Sequence, residues 1–174
     1  MAKKFINFEV LWHVMEVFPL RVASSKMYYP HIARIFGLGY YKSVDSGEDE
    51  YSKKLMYFYK YGNDAQFFFD RINELYNLRF KDDSIKFDYF TLYPSHVKDN
   101  LNTNMINLAK TLPLPYNQVL RRNKTIKYNH ECKTFQERVD NVKGSIDVTE
   151  DIKGKNIIIL DKASTTGISL IDAK

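Results

Sequence analysis

Asp161 ends a run of apolar residues, Ile157-Ile158-Ile159-Leu160, and a small hydroxyl-rich turn follows it closely: Ser164-Thr165-Thr166-Gly167-Ile168-Ser169. An apolar strand, an acid, a hydroxyl turn and then an apolar helix start is an order that brings backbone N–H groups and a helix N-terminus to one spot. That is the equipment for holding a phosphate. The hydroxyls of Ser164, Thr165, Thr166 and Ser169 can add bonds to its oxygens, and Gly167 lets the backbone approach closely. Asp161, just before the turn, is placed to hold a sugar hydroxyl or a metal-bound water. Taken alone, the turn also suits a strand-to-helix connection whose Ser and Thr merely cap the helix. The strand and the acid in front of it are what point to phosphate.

The elements that must position this chemistry follow from periodicity. Four apolar residues, mostly β-branched, predict a short strand over 156–160 buried on both faces, as in a parallel sheet. Strands are also predicted at 87–92, 116–120 and 146–148, with a turn at 151–154. Helical spacing runs over 51–76, broken near Gly62-Asn63-Asp64, where Asn63 or Asp64 can cap a second helix. A further helix over 104–112 is stopped by Pro113 and Pro115. Phe5, Phe8, Leu11, Trp12 and Met15 fall three and four apart, which predicts an amphipathic helix over 5–18 ended by Pro19, and 32–36 reads as one helical turn. The polar, acidic stretch 43–50 is the linker, so the expected organisation is a helical N-terminal appendage, 1–50, and an α/β domain, 51–174. The expected fold class is α/β, a mainly parallel sheet flanked by helices.

Composition narrows the partners. With 44% hydrophobic and 27% charged residues over 174 positions, the chain is globular and not disordered. A formal charge of +5 favours anionic partners. Much of that charge sits between Asn117 and Lys143, where seven bases stand against three acids. This segment, with Tyr128 and Phe135 interleaved, is read as a mobile hood over a small polyanion or simply a charged surface, with a nucleic-acid track as the alternative. A single cysteine, Cys132, excludes an internal disulfide and a multi-cysteine zinc site, and predicts a reducing, cytoplasmic setting. No run approaches the eighteen or so apolar residues needed to span a bilayer. Glu9, His13 and Glu16 interrupt the N-terminal apolar stretch, so it is read as part of the fold and not as a signal peptide.

The residues Asp161, Ser164, Thr165, Thr166, Gly167 and Ser169 resemble the phosphoribosyl-pyrophosphate (PRPP) loop of type I phosphoribosyltransferases. Lys162 departs from that pattern, since the family has a second acid there. Upstream, Leu120-Arg121-Arg122 and the stretch from Glu137 to Ser145 resemble the ComF-type branch, related to DNA-uptake competence proteins. Phe87 to Pro94 is similar to the family's strand leading into a pyrophosphate loop, and Leu55 to Gly62 to an earlier stretch. The resemblance covers roughly residues 52 to 172. It implies transfer of a 5-phosphoribosyl group from PRPP to a nitrogen nucleophile, with Mg²⁺ carried on the diphosphate and no protein group ligating the metal directly.

In site terms it implies Asp161 as the catalytic, ribose-holding acid and residues 164–169, Ile168 included, as the phosphate cradle. Ser95, His96 and Lys98 become pyrophosphate-binding candidates, and Arg121, Arg122 and Arg138 hood candidates. The family's Arg-Gly-Phe-Asn-Gln run is replaced here by Asn-Leu-Asn-Thr-Asn at 100–104, which removes an expected cation. The family also continues beyond the helix that starts after the loop, whereas this sequence ends at Lys174. Either the chain is shortened there, or the exposed sheet edge is covered by the N-terminal appendage or by a second copy in a homodimer. Two alternatives stay open beside the enzyme: a non-catalytic module that senses a phosphorylated ribose compound, and an accessory protein associated with nucleic acid. No membrane partner is expected.

Overall fold

A computed structural model of the chain describes residues 2–4, 15–17, 35–39, 49–81 and 86–162. They fall into two compact units, 1–84 and 85–174. The division lies after the paired helices.

In the first unit, β1 (Ala2–Lys4), β2 (Met15–Val17) and β3 (Ile35–Gly37) form an antiparallel sheet in that order, with Lys3 opposite Glu16 and Glu16 opposite Phe36. This corrects two expectations, the helix over 5–18 and the helical turn over 32–36, wherever those stretches are described. Met15-Glu16-Val17 has a period of two as well as a place in the 3.6-residue pattern, and pairing on both sides decides between them. The expected helical appendage is thus, in its described part, a small sheet.

Two helices follow in the same unit. α1 (Glu50–Tyr61) starts where the Asp49 carboxylate accepts the Ser52 N–H at 2.9 Å. It ends at Gly62, whose φ of 82° is left-handed and whose N–H reaches Phe58 O. α2 (Ala65–Arg79) begins after Asp64, also left-handed at φ 58°, whose side chain makes no cap bond. The buried face of α1 (Ser52, Leu55, Phe58) meets Phe68 of α2, with the Phe58 and Phe68 rings 5.0 Å apart. Arg71 is buried on α2, its guanidinium 4.5 Å over the Phe67 ring and its Nη1 donating to Leu38 O at 2.9 Å. Gly39 lies against the Tyr51 ring so closely that a Cβ there would come within 2.7 Å of it. Burial pushes the Tyr51 hydroxyl up to about 12, against the opposing pull of Arg71.

The second unit is an α/β layer. β4 (Tyr89–Leu92) is buried at all four positions and pairs in parallel with β7 (Ile157–Leu160), Tyr89 opposite Ile157 and Leu92 opposite Leu160. On its other side 115–117 runs parallel to β4: the Phe90 N–H donates to Pro115 O and the Asn117 N–H to Phe90 O, at 2.8 and 2.9 Å. α3 (Thr103–Thr111) connects these two, capped by Asn102, whose side chain accepts the Met105 N–H at 3.0 Å. Its buried residues Met105, Leu108 and Ala109 form its apolar face, and the helix packs on β4. β5 (Leu120–Arg122) then pairs antiparallel with β6 (Ile146–Val148), closing a long excursion that holds a 3₁₀ turn (Asn129–Glu131) and α4 (Phe135–Val142). Tyr89, Val119 and Leu120 form a core against which Ile146, Ile152, Ile157 and Ile159 pack.

Helices combined with a parallel strand pair make this a mixed α/β fold. Two expectations shift. The strand predicted at 116–120 is laddered at 120–122, with only a single bridge at Tyr116. β7 is half-buried and not buried throughout, because among the described residues it has a strand partner only at β4.

Candidate functional site at the ends of two parallel strands

The parallel register of β4 and β7 brings their carboxyl ends level, and the Tyr93 N–H extends the ladder by donating to Leu160 O at 2.8 Å. Two loops therefore leave the sheet side by side, Tyr93-Pro94-Ser95-His96 from β4 and Asp161-Lys162 from β7. Crevices beyond the carboxyl ends of adjacent parallel strands are where open α/β sheets take their ligands. Asp161 sits half-buried at this edge, and its Oδ1 accepts the N–H of Lys162 at 2.7 Å. Lys162 is half-buried beside it. Burial pulls the Lys162 ammonium below its usual pKa, and the neighbouring Asp161 charge partly opposes that. The remaining residues of the expected phosphate turn, Ser164, Thr165, Thr166, Gly167, Ile168 and Ser169, lie outside the described residues.

The loop after β4 is tightly knotted. Its Ser95 N–H donates to Asn100 O and its Asn100 N–H to Val97 O, both at 3.3 Å. The Val97 N–H goes to Ser95 Oγ at 3.3 Å, the Lys98 N–H to Thr125 Oγ1 at 3.1 Å, and the Asp99 N–H to Arg122 O at 3.2 Å. Asp99 takes the left-handed conformation, φ 53°, to make the turn. The backbone N–H groups from Ser95 to Asn100 are thus used inside the protein, that of His96 excepted. A phosphate here would be held chiefly by side chains, His96 and the exposed Lys98, and not by a nest of amides. The Ser95 hydroxyl lies 3.5 Å from Val97 O and accepts from Val97 N, so it serves the loop itself.

The hood candidates separate. Arg121 is exposed and pairs with Asp147 at 3.1 Å, and Asp99 lies 4.0 Å away. With Asn123, Arg121 holds the Asp147 carboxyl below its usual pKa. Arg138 is half-buried on α4. Arg122 is corrected outright: it is 1% exposed, and its guanidinium is turned inward. Its Nε donates to Ser95 O at 2.9 Å and its Nη2 to Pro94 O at 3.3 Å, while Nη1 donates to Ser145 Oγ. The guanidinium also lies 5.1 Å over the Tyr93 ring. β5 alternates buried, exposed, buried, so of two adjacent arginines one must face water and the other the interior.

Nor is the segment after β5 free. The Ile126 N–H donates to His96 O at 2.9 Å, and the His96 and Tyr128 rings lie tilted at 36° with centroids 3.8 Å apart. The Lys127 N–H donates to Asn141 Oδ1, and Asn141 returns a bond to Lys127 O, both at 3.0 Å. α4 is fastened by a capping box between Thr134 and Glu137. The expected mobile hood is, over 122–128, strapped to the loop that follows β4.

Sequence reasoning missed Gln118. Its side chain lies between β4 and β5: Oε1 accepts the Leu92 N–H at 3.2 Å and the Tyr116 hydroxyl at 2.9 Å. Its Nε2 donates to Leu92 O at 3.0 Å and Leu120 O at 2.5 Å. Leu92 points its backbone groups to the same side as Phe90, where the neighbouring backbone no longer follows, and the amide replaces the missing ladder. No pattern in the sequence marks a single glutamine for that role.

As for metal, the described residues contain no cluster of three or more His, Cys, Asp or Glu side chains able to hold an ion. One carboxylate at the site, Asp161, with an ammonium next to it, is too small a donor set for Mg²⁺ unless the ligand's own phosphate oxygens complete the shell. No helix among the described residues is long and apolar enough to cross a membrane. No family model, curated protein or solved structure matches this chain.

Proposed function

We propose that the protein binds PRPP or a related ribose 5-phosphate compound at the carboxyl ends of β4 and β7, in the cytoplasm, as a type I phosphoribosyltransferase-like protein of ComF-like kind. The observation that carries this reading is the register of the parallel pair. It sets the Asp161 end of β7 level with the Tyr93 end of β4, so the two loops that the resemblance assigns to ribose phosphate and to pyrophosphate leave the sheet as neighbours. The 164–169 turn is assigned the 5-phosphate, Asp161 the ribose hydroxyls, and His96 and Lys98 the diphosphate. Mg²⁺ would arrive on that diphosphate and neutralise part of its charge.

The reaction read here is transfer of the phosphoribosyl group to a nitrogen nucleophile with release of pyrophosphate. In such a reaction the protein's share is positioning and electrostatic stabilisation of a cationic sugar. On this reading Asp161 supplies negative charge near the ribose, and Lys98, with His96 as a hydrogen-bonding neighbour, meets the departing pyrophosphate.

Lys162 favours a second reading, binding without turnover. An ammonium pressed beside Asp161 lowers the negative charge available to the sugar and repels a metal ion. Calorimetric titration with PRPP, with and without Mg²⁺, tests the first reading, and release of pyrophosphate in the presence of candidate nitrogen acceptors separates the two. A protein that binds neither PRPP nor ribose 5-phosphate refutes both. Gly167→Val should abolish the rise in melting temperature that phosphate compounds produce in the parent protein.

A further inference from the structure

Arg122 carries a full charge in the interior, and no carboxylate lies within 4.0 Å of it among the described residues. A buried charge without a counter-ion is costly and persists only when hydrogen bonds replace its water. Here the replacements are the carbonyl oxygens of Pro94 and Ser95 and the Ser145 hydroxyl, which lie in different directions around the planar guanidinium. Lysine has the charge but not the rigid fork. Two of those three acceptors belong to the loop that leaves β4, and the third to the residue just before β6. Ser145 is itself fully buried, and its carbonyl accepts the Asn123 N–H at 3.0 Å.

We propose that Arg122 is the positioning residue of the candidate site: from beneath, it fixes the path of the loop after β4 and locks it to the β5–β6 strand pair, so that His96, Lys98 and Arg121 are presented as one wall. The inference rests on the reading that this loop meets the phosphates of a ribose phosphate compound. It assigns no contact with the ligand to Arg122, whose donors are turned to the loop's own carbonyls and to the Ser145 hydroxyl. Two effects combine. Geometry fixes where His96 and Lys98 stand. The charge, matched by two carbonyl dipoles, a hydroxyl and the Tyr93 ring and by no carboxylate, keeps the ends of β4 and β5 positive and suits an anion bound above them.

The test is calorimetric titration of PRPP with Mg²⁺ into the parent protein, Arg122→Lys and Ser145→Ala, with amide NMR spectra of the same samples. Arg122→Lys keeps the charge and loses the fork. It should weaken binding about tenfold, since displacement of anchoring groups by a fraction of an ångström is costly. It should also shift the amide signals of residues 95–98 and 145 while leaving those of α3 in place. Ser145→Ala removes one bond of three and should weaken binding about threefold, with the same pattern of shifts in smaller measure.

If the variants melt lower but bind as the parent does, and the 95–98 amides do not move, Arg122 is structural only and the proposal is overturned. If Arg122→Lys fails to fold, Ser145→Ala decides by the same two readouts. If the parent itself binds neither PRPP nor inorganic phosphate, the ribose-phosphate reading fails. The claim that Arg122 positions the loop is then judged on the amide shifts alone.

Discussion

Replacing Gln118 with alanine tests whether one side-chain amide really completes the sheet beside the site. Leu92 is buried, and both its backbone groups depend on Gln118, the N–H at 3.2 Å and the carbonyl at 3.0 Å. Gln118→Ala strands both, and each buried unpaired group costs about 1–3 kcal/mol. Water entering the space left by the side chain recovers part of this, so a net loss of about 3 kcal/mol is expected. For the second unit, 85–174, unfolding cooperatively, that corresponds to a fall in melting temperature of roughly 12–24 °C.

The sharper assay is hydrogen exchange at one amide. The Leu92 N–H should exchange roughly 150-fold faster, at 1.4 kcal/mol per factor of ten. The Tyr93 N–H, which bonds Leu160 on the opposite side, should change far less. Gln118→Glu should be worse than alanine at neutral pH, because a carboxylate oxygen would face the carbonyls of Leu92 and Leu120. The reasoning is refuted if Gln118→Ala leaves Leu92 protection unchanged and costs less than about 0.5 kcal/mol, the scatter of ordinary surface substitutions.

Restoring an acid with Lys162→Asp should raise Mg²⁺-dependent affinity for PRPP by removing the half-buried ammonium beside Asp161; equal affinities at two Mg²⁺ concentrations would show that Lys162 plays no part in binding. Asp88 is held below the ordinary carboxyl pKa of 3.8, first by the Asn156 N–H at 2.8 Å and then by Lys155 at 3.2 Å. Its contribution to stability is therefore fully present above 3.8 and lost as the pH falls through its depressed folded value, so the difference in stability between the parent and Asp88→Asn should shrink on acidification through that window; a difference constant from pH 7 to pH 2 contradicts this. Thr134→Ala breaks the capping box of α4 and should cost about 1 kcal/mol in the stability of that helix, read by exchange of the Glu137 N–H that Thr134 accepts at 3.1 Å.

Where local chemistry decides, the sequence was enough. Gly62 ends the first long helix and Pro113 stops the third, because breakers act within a few residues of themselves; the caps Asp49 and Asn102 came only with the structure. Tyr89–Leu92, Ile146–Val148 and Ile157–Leu160 were legible as strands from their short apolar and β-branched runs. Tertiary structure decided what depends on partners far along the chain. Met15–Val17 fits a helical period and a strand period alike, and pairing with Ala2–Lys4 and Ile35–Gly37 made it a strand. Arg121 and Arg122 are the same residue type side by side, yet one is solvated and the other buried. The difference comes from the strand's two faces and from acceptors at Pro94, Ser95 and Ser145, 23 to 28 positions away in sequence. The level ends of β4 and β7, on which the candidate site stands, are likewise a matter of register between strands 68 residues apart, as Tyr89 and Ile157 show. Short-range hydrogen bonds are specified by neighbours, and long-range ones only by the packing that brings their two halves together.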